Sequence, residues 1–183
     1  ALNGMLLYVG STVFVCYLSF SLRGGQLPVP AWNALFWIVL LFSAVNAVAK
    51  GFLQESRGRM LYYYTVVRPQ AVILAKISYN ALLLLGLALV AFGLYATVLG
   101  NPVQNVPLFV GTVALGAVGF ASTLTLVSGI AAKATNSSTL MAVLGFPLMV
   151  PMLLLLIKVS KNALDGLEFE ASQSSLLTLL ALN

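Results

Sequence analysis

The sequence predicts an all-α, polytopic membrane protein, and its composition carries that prediction. Of its 183 residues, 61% are hydrophobic and only 7% are charged, and the mean hydropathy is +1.03. A soluble domain usually carries about 25% charged residues, so this chain lacks the charge needed to cover a water-exposed surface. Several uncharged stretches also reach the roughly 20 apolar residues that a helix needs to cross a bilayer.

Charged residues mark the limits of the predicted helices. Arg23 and Lys50 bound the first two apolar stretches, and the uncharged stretch 77–132 is long enough for two crossings. Gly100 and Pro102 are typical of a turn between those two crossings. We therefore predict one transmembrane domain over 1–183, with spans near 2–22, 31–49, 77–99, 107–132 and 139–157.

A sixth apolar run begins near Ser174, but it is too short to cross a bilayer before the sequence ends at Asn183. The sequence also enters its first apolar stretch at Ala1, without a basic flank or a signal-peptide pattern. We therefore expect the sixth helix, 174–183, to be truncated and the sequence to be a fragment.

The distribution of basic residues predicts the orientation. One side of the membrane would hold 50–76 and the 133–138 turn, where most of the Lys and Arg lie and Glu55 is the single acid. The other side would hold three acids, Asp165, Glu168 and Glu170. Basic loops stay in the cytoplasm, so we expect a cytoplasmic N-terminus in a multi-pass protein.

Several functions are excluded by missing residue types. The sequence has no His and a single Cys, Cys16, which disfavours a metal site, haem ligation and redox chemistry. No charged residue lies inside a span, although ion-coupled carriers need such groups, and no GxxxxGK[ST] phosphate loop is present. The few basic residues lie at span ends, so nucleic-acid binding is disfavoured as well. Energy for any driven work must come from a partner.

Two spans contain patterns with a structural meaning. Pro147 and Pro151 lie four residues apart in the fifth span, so they share a helix face, either as a moving hinge or as a static kink. The fourth span has small residues at a spacing of four, which lets another helix approach closely. This seam either packs inside the bundle or joins two copies, and it consists of Ala117, Ala121, Thr125 and Gly129.

The segment 50–76 is the predicted coupling segment. Met60, Leu61 and Tyr64 are apolar at helical spacing between arginines, which favours a short amphipathic helix along the headgroups. Such a helix could either transmit force from a soluble partner or serve as an interfacial anchor. Glu55 favours the partner, because anionic lipid would not select an acid.

The same segment resembles the signature of ABC-2 type permeases. Its order of residues is Glu55, Gly58, Leu61, Pro69 and Lys76. This order is similar to the E-x-x-x-G…L…P…K pattern that follows the second helix in that superfamily, with two residues instead of three between the Glu and the Gly. The resemblance is closer to the CcmB family of bacterial cytochrome c maturation. It extends to the P-x-A-x-x-L-A-K entry of the third helix at 69–76, to 116–120 and 129–130 in the fourth, and to the L-x-x-P-x-x-x-P pattern at 144–151.

This resemblance implies a six-helix membrane subunit of an ABC transporter complex in the bacterial inner membrane. Its implied partners are a CcmA-like ATPase, a CcmC-like haem-handling protein, a CcmD-like small subunit and a second copy of the chain. ATP would be used by the partner, haem would be cargo, and no cofactor would bind directly. The amphipathic segment that begins these family members is missing here.

The function implied is the coupling of ATP hydrolysis to haem export or to release of a haem-loaded chaperone, by a subunit that is not itself an enzyme. We expect the contact with the ATPase at Glu55, Arg57, Gly58, Arg59, Pro69 and Lys76. Two alternatives remain open: an exporter subunit for another apolar substrate, such as a lipid or drug, and a membrane scaffold that does not transport.

Overall fold

The computed structural model describes residues 2–21, 27–53, 68–132 and 137–182, and all its regular elements there are helices. Within these ranges six helices follow one another: α1 Leu2–Ser21, α2 Val29–Leu53, α3 Pro69–Val98, α4 Val106–Ala131, α5 Ser137–Leu164 and α6 Phe169–Leu182. The first five are long and apolar enough to cross a membrane. The predicted all-α, polytopic class is therefore confirmed.

Several helices are longer than the spans placed by counting charges. α3 begins at Pro69 and passes through Lys76, and α5 continues past Lys158 and Lys161 to Leu164. The predicted third span begins after Lys76 and the predicted fifth span stops before Lys158, but a lysine near a helix end can keep its ammonium group at the interface while its backbone stays helical. Proline at the first position of α3 suits a helix start, because its fixed φ matches the helix and the N–H it lacks would have no partner there.

α2 and α4 form the centre of the bundle. In their apolar stretches 61% and 56% of the residues are buried, compared with 17% in α1. α4 packs against α2, α3, α5 and α6, and α2 contacts α1, α3, α4 and α5. Because lipid is as apolar as these side chains, close packing and hydrogen bonds, rather than escape from water, hold such helices together.

Two connections meet at one end of the bundle, which we call the turn end. The connection 99–105 joins α3 to α4, and the turn 165–168 joins α5 to α6. The Asn105 amide donates to the Ala163 carbonyl at 2.9 Å, and the Asn105 side-chain amide donates to the Leu167 carbonyl at 3.1 Å. The Asn105 carboxamide oxygen also accepts from the Leu108 amide at 3.2 Å and so caps α4.

Candidate functional site

The predicted coupling segment connects α2 to α3 on the side of the bundle opposite the turn end. α2 ends at Leu53 and α3 begins at Pro69. Glu55, Arg57, Gly58 and Arg59, and the amphipathic helix predicted around Met60, lie outside the described residues. Lys76 is half-buried, two turns into α3. The predicted ATPase contact therefore remains an expectation from the sequence.

The small-residue seam of α4 lies inside the described bundle. Ala117, Ala121 and Thr125 are buried, and Gly129 is half-buried. The side-chain amide of Asn80 in α3 donates to the Thr125 hydroxyl at 2.9 Å. Of the four seam residues, Thr125 thus forms a side-chain hydrogen bond to α3.

Pro147 and Pro151 lie within α5, which is helical from Ser137 to Leu164. Both are exposed, together with Val143 and Leu154 on the same face, so no other helix of the described chain covers them. A proline lacks the N–H that would bond to the carbonyl four residues earlier. The choice between a moving hinge and a static kink stays open.

A buried polar cluster that was not predicted from the sequence links α2 to α5. The indole N–H of Trp37 donates to the Ser160 hydroxyl oxygen at 2.8 Å, and the Asn33 side-chain amide donates to the Ile157 carbonyl at 3.0 Å. The Ser160 hydroxyl, which carries one hydrogen, lies within hydrogen-bonding distance of three acceptors: Asn33 Oδ1 at 2.8 Å and the Leu156 and Ile157 carbonyls at 2.6 and 3.2 Å. The available signal was Asn33 four residues before Trp37, which places two polar groups on one face of an apolar helix.

We call the cluster of Asn33, Trp37 and Ser160 the Asn33–Ser160 node. Gly116 of α4 lies against it. A Cβ at position 116 would lie only 2.7 and 2.8 Å from two ring carbons of Trp37, and 3.2 Å from Leu156 Cδ1. Trp37 itself is fully buried. The indole therefore lies against the α4 backbone at a point that only glycine leaves open.

Aromatic side chains fill the space next to this node. Trp32 stacks on Phe36 with ring centroids 5.6 Å apart, and it meets Tyr95 edge-on at 5.4 Å. Phe92 and Phe109 lie 5.0 Å from each other against the same group. Both tryptophans are buried inside the bundle, where edge-to-face and offset contacts hold α2, α3 and α4 in a fixed arrangement.

The interior offers polar groups but no charge. In the described part of the chain, the buried side chains with polar atoms are all uncharged; they are Asn, Ser and Thr, together with both tryptophans and Tyr95. Among the described residues no group of three or more His, Cys, Asp or Glu is placed to hold a metal ion. An open groove of about 290 Å³ lies between α4 and α5 beside Leu182, and its lining is apolar apart from Thr123. Such a groove can accept an apolar molecule but supplies no acid, base or nucleophile.

A comparison with protein families decides the identity of the chain. The family model described as "CcmB protein" matches residues 5–183. The chain belongs to the CcmB family. No curated protein and no solved structure matches it.

Membership of the CcmB family makes the chain a membrane permease subunit of the ABC transporter system that handles haem in cytochrome c maturation. It also places the chain among proteins that work with partner subunits. The five long apolar helices agree with a multi-pass membrane protein.

Proposed function

We propose that this subunit couples ATP hydrolysis by a separate ATPase to haem export or to release of a haem-loaded chaperone. The observation that supports the proposal best is the uncharged interior. A carrier that uses an ion gradient needs ionisable groups inside its spans to bind the coupling ion. The buried polar groups of the described bundle are amides, indoles and hydroxyls, which are uncharged at neutral pH.

The proposed entry point for force is the coupling segment between α2 and α3. In this proposal Glu55 pairs with a basic group on the ATPase, and Gly58 allows a close backbone approach. Arg57 and Arg59 pair with acids of the ATPase or with lipid phosphate. Pro69 and Lys76 at the start of α3 complete the contact, which leads directly into the bundle.

The proposed partners are a CcmA-like ATPase, a CcmC-like haem-handling protein, a CcmD-like small subunit and a second copy of the chain. Haem is cargo and ATP is used by the ATPase, so the subunit itself binds no cofactor. We place the protein in the bacterial inner membrane with its N-terminus in the cytoplasm, because the basic segments around 50–76 and Lys133 would then face inward.

One observation is equally compatible with a second candidate, export of a different apolar molecule. The groove between α4 and α5 is lined by aliphatic side chains and Thr123, and nothing in that lining distinguishes haem from a lipid or a drug. Purification from native membranes separates the two candidates. Copurification of haem-handling proteins with the chain supports the haem function, whereas an ATPase without any haem protein supports the other substrate.

The experiment that tests the ATPase contact is a charge reversal, Glu55→Lys. We expect this variant to insert into the membrane normally but to retain less ATPase on copurification, because an opposite charge is replaced by a like charge. The matched control is Asp165→Lys, the same reversal at an exposed position in the turn end. Equal ATPase recovery with both variants would remove Glu55 from the contact.

A further inference from the structure

We propose that the Asn33–Ser160 node is the link through which a shift of α2 is passed to α5 and on to the turn end. This inference rests on the proposed function, because it takes the ATPase as the source of the shift. Asn33, Trp37 and Ser160 are positioning residues in this scheme, and none of them needs to touch the cargo.

α2 is suited to carry a displacement across the membrane. One end of this helix is Leu53, directly before the segment proposed to contact the ATPase, and the node lies near its other end. Most of α2 is buried among the other helices. Because α2 packs against four other helices, it moves as a unit in this scheme, and a displacement at Leu53 arrives at Asn33 and Trp37.

The node is the place where α2 holds α5 by directional bonds. Asn33 and Trp37 bond to Ser160 and to the Ile157 carbonyl at 2.8–3.0 Å. Among apolar neighbours a broken hydrogen bond is not replaced by water, so these groups are held in register. Apolar contacts alone would fix the position of α2 along α5 less strongly, because they are not directional.

The close contact at Gly116 prevents the Trp37 ring from moving toward α4. The Trp37 ring already lies against the α4 backbone there, so the ring cannot move in that direction without pushing α4. Close-packed interiors transmit such displacements rather than absorb them. A shift of α2 is therefore delivered to Ser160.

The next residues of α5 carry the displacement to the turn end. Asn162, two residues after Ser160, donates its side-chain amide to the Ser172 hydroxyl of α6 at 2.9 Å, and its carbonyl accepts from the Leu167 amide at 2.9 Å. The Ala163 carbonyl accepts from the Asn105 amide at 2.9 Å. The end of α5, the start of α6 and the connection 99–105 are thus bonded into one unit.

The test compares two identical substitutions in the assembled complex. Asn33→Leu removes an amide from the node, and Asn80→Leu removes an equally buried amide that bonds to Thr125 between α3 and α4. Both variants carry Cys16→Ser, which removes the single cysteine of the chain, and Glu168→Cys, which places one thiol in the exposed turn end. A fluorescent maleimide on that thiol reports movement when ATP is added.

We expect Asn33→Leu to keep its ATPase rate while the ATP-dependent fluorescence change falls at least about 5-fold, the lower range of measured coupling between sites. Asn80→Leu should leave the change as in wild type. Trp37→Phe, which keeps an aromatic ring but removes the indole N–H together with part of the ring volume, should give a smaller loss. It also serves as the test if Asn33→Leu fails to fold.

Two results would overturn the inference alone: a full fluorescence change in both Asn33→Leu and Trp37→Phe, or equal losses in Asn33→Leu and Asn80→Leu. The first would show that the node transmits nothing, and the second that any buried amide matters equally. A wild-type complex that binds the ATPase but shows no ATP-dependent change at position 168 would also overturn the inference alone. If the wild-type chain binds no ATPase, the proposed function fails and the inference fails with it.

Discussion

Gly116 is the residue whose replacement should affect packing most directly. A methyl group at this position would overlap the buried ring of Trp37. Overpacking of this kind costs about 1–3 kcal/mol of folding free energy. We expect Gly116→Ala to lower the apparent melting temperature in detergent by several degrees, measured by loss of the monodisperse chromatographic peak.

Gly111→Ala is the control on the same helix. Nothing lies within 4 Å of a Cβ built at Gly111, and alanine is favoured over glycine in a helix by roughly 0.5–1 kcal/mol. The control should therefore melt at the wild-type temperature or slightly above it. Equal melting temperatures for the two variants would contradict the close contact between Trp37 and α4.

Gly166 is restricted by its backbone as well as by a neighbour. It has a φ of +73° in the turn after α5, where the Leu167 amide reaches back to the Asn162 carbonyl in a typical glycine-ended helix terminus. A Cβ there would also collide with the Gln104 side chain. Gly100 has a φ of +85°, but a Cβ would meet nothing within 4 Å.

We expect Gly166→Ala to lower the melting temperature more than Gly100→Ala. A Cβ in the left-handed backbone conformation costs about 1–2 kcal/mol in both variants, and only Gly166→Ala also displaces the Gln104 side chain. Adding Gln104→Ala to Gly166→Ala should recover part of the loss. No recovery in the double variant would show that the Gln104 contact is unimportant.

Individual buried residues could be predicted from the sequence, but their partners on other helices could not. The pattern of small residues in α4 was visible, and three of its four members are buried in the structure. Asn33 and Ser160 are separated by more than one hundred residues in sequence, and nothing in either local pattern pairs them. Their contact depends on which helices become neighbours, and hydropathy alone does not determine that.

At the scale of the helix, the two prolines of α5 offer a direct test. Pro147→Ala and Pro151→Ala each restore an N–H for the carbonyl four residues earlier, and both rings are exposed, so their loss should disturb little packing. A proline in a helix interior costs up to about 3 kcal/mol relative to alanine. We expect each variant to raise the melting temperature of the chain.

The activity of the same variants separates a hinge from a static kink. If α5 bends during the cycle, Pro147→Ala should slow ATP-dependent work by the complex while raising stability. Unchanged turnover with raised stability would identify a static kink. A drop in the melting temperature would contradict the exposed position of these rings.

The positions of charged residues predicted where the long helices lie but not where each of them begins and ends. Charge counting located all five long helices, because a bilayer allows few charges in its centre. It ended the third and fifth at lysines, whereas the helices extend to Pro69 and Leu164. A lysine limits the depth of a side chain in the bilayer, and backbone hydrogen bonding decides where the helix ends.

At the scale of the whole molecule, fold class and family could be predicted from sequence. The composition dictated a membrane bundle, and the motifs in 55–76 and 144–151 agreed with the family that matches residues 5–183. The arrangement of the bundle could not be predicted in the same way. Five helices of nearly uniform apolarity can pack in many orders, and a few buried groups, such as Asn33, Asn80 and Gly116, fit only one of them.

The central claim is that the membrane bundle performs driven work only with energy from a partner ATPase. The most direct measurement reconstitutes the purified chain alone and the assembled complex in proteoliposomes, and follows haem movement or chaperone release. We predict activity from the complex that requires ATP, and none from the chain alone under an imposed proton or sodium gradient. Solute movement by the chain alone, driven by such a gradient without nucleotide, would contradict the account.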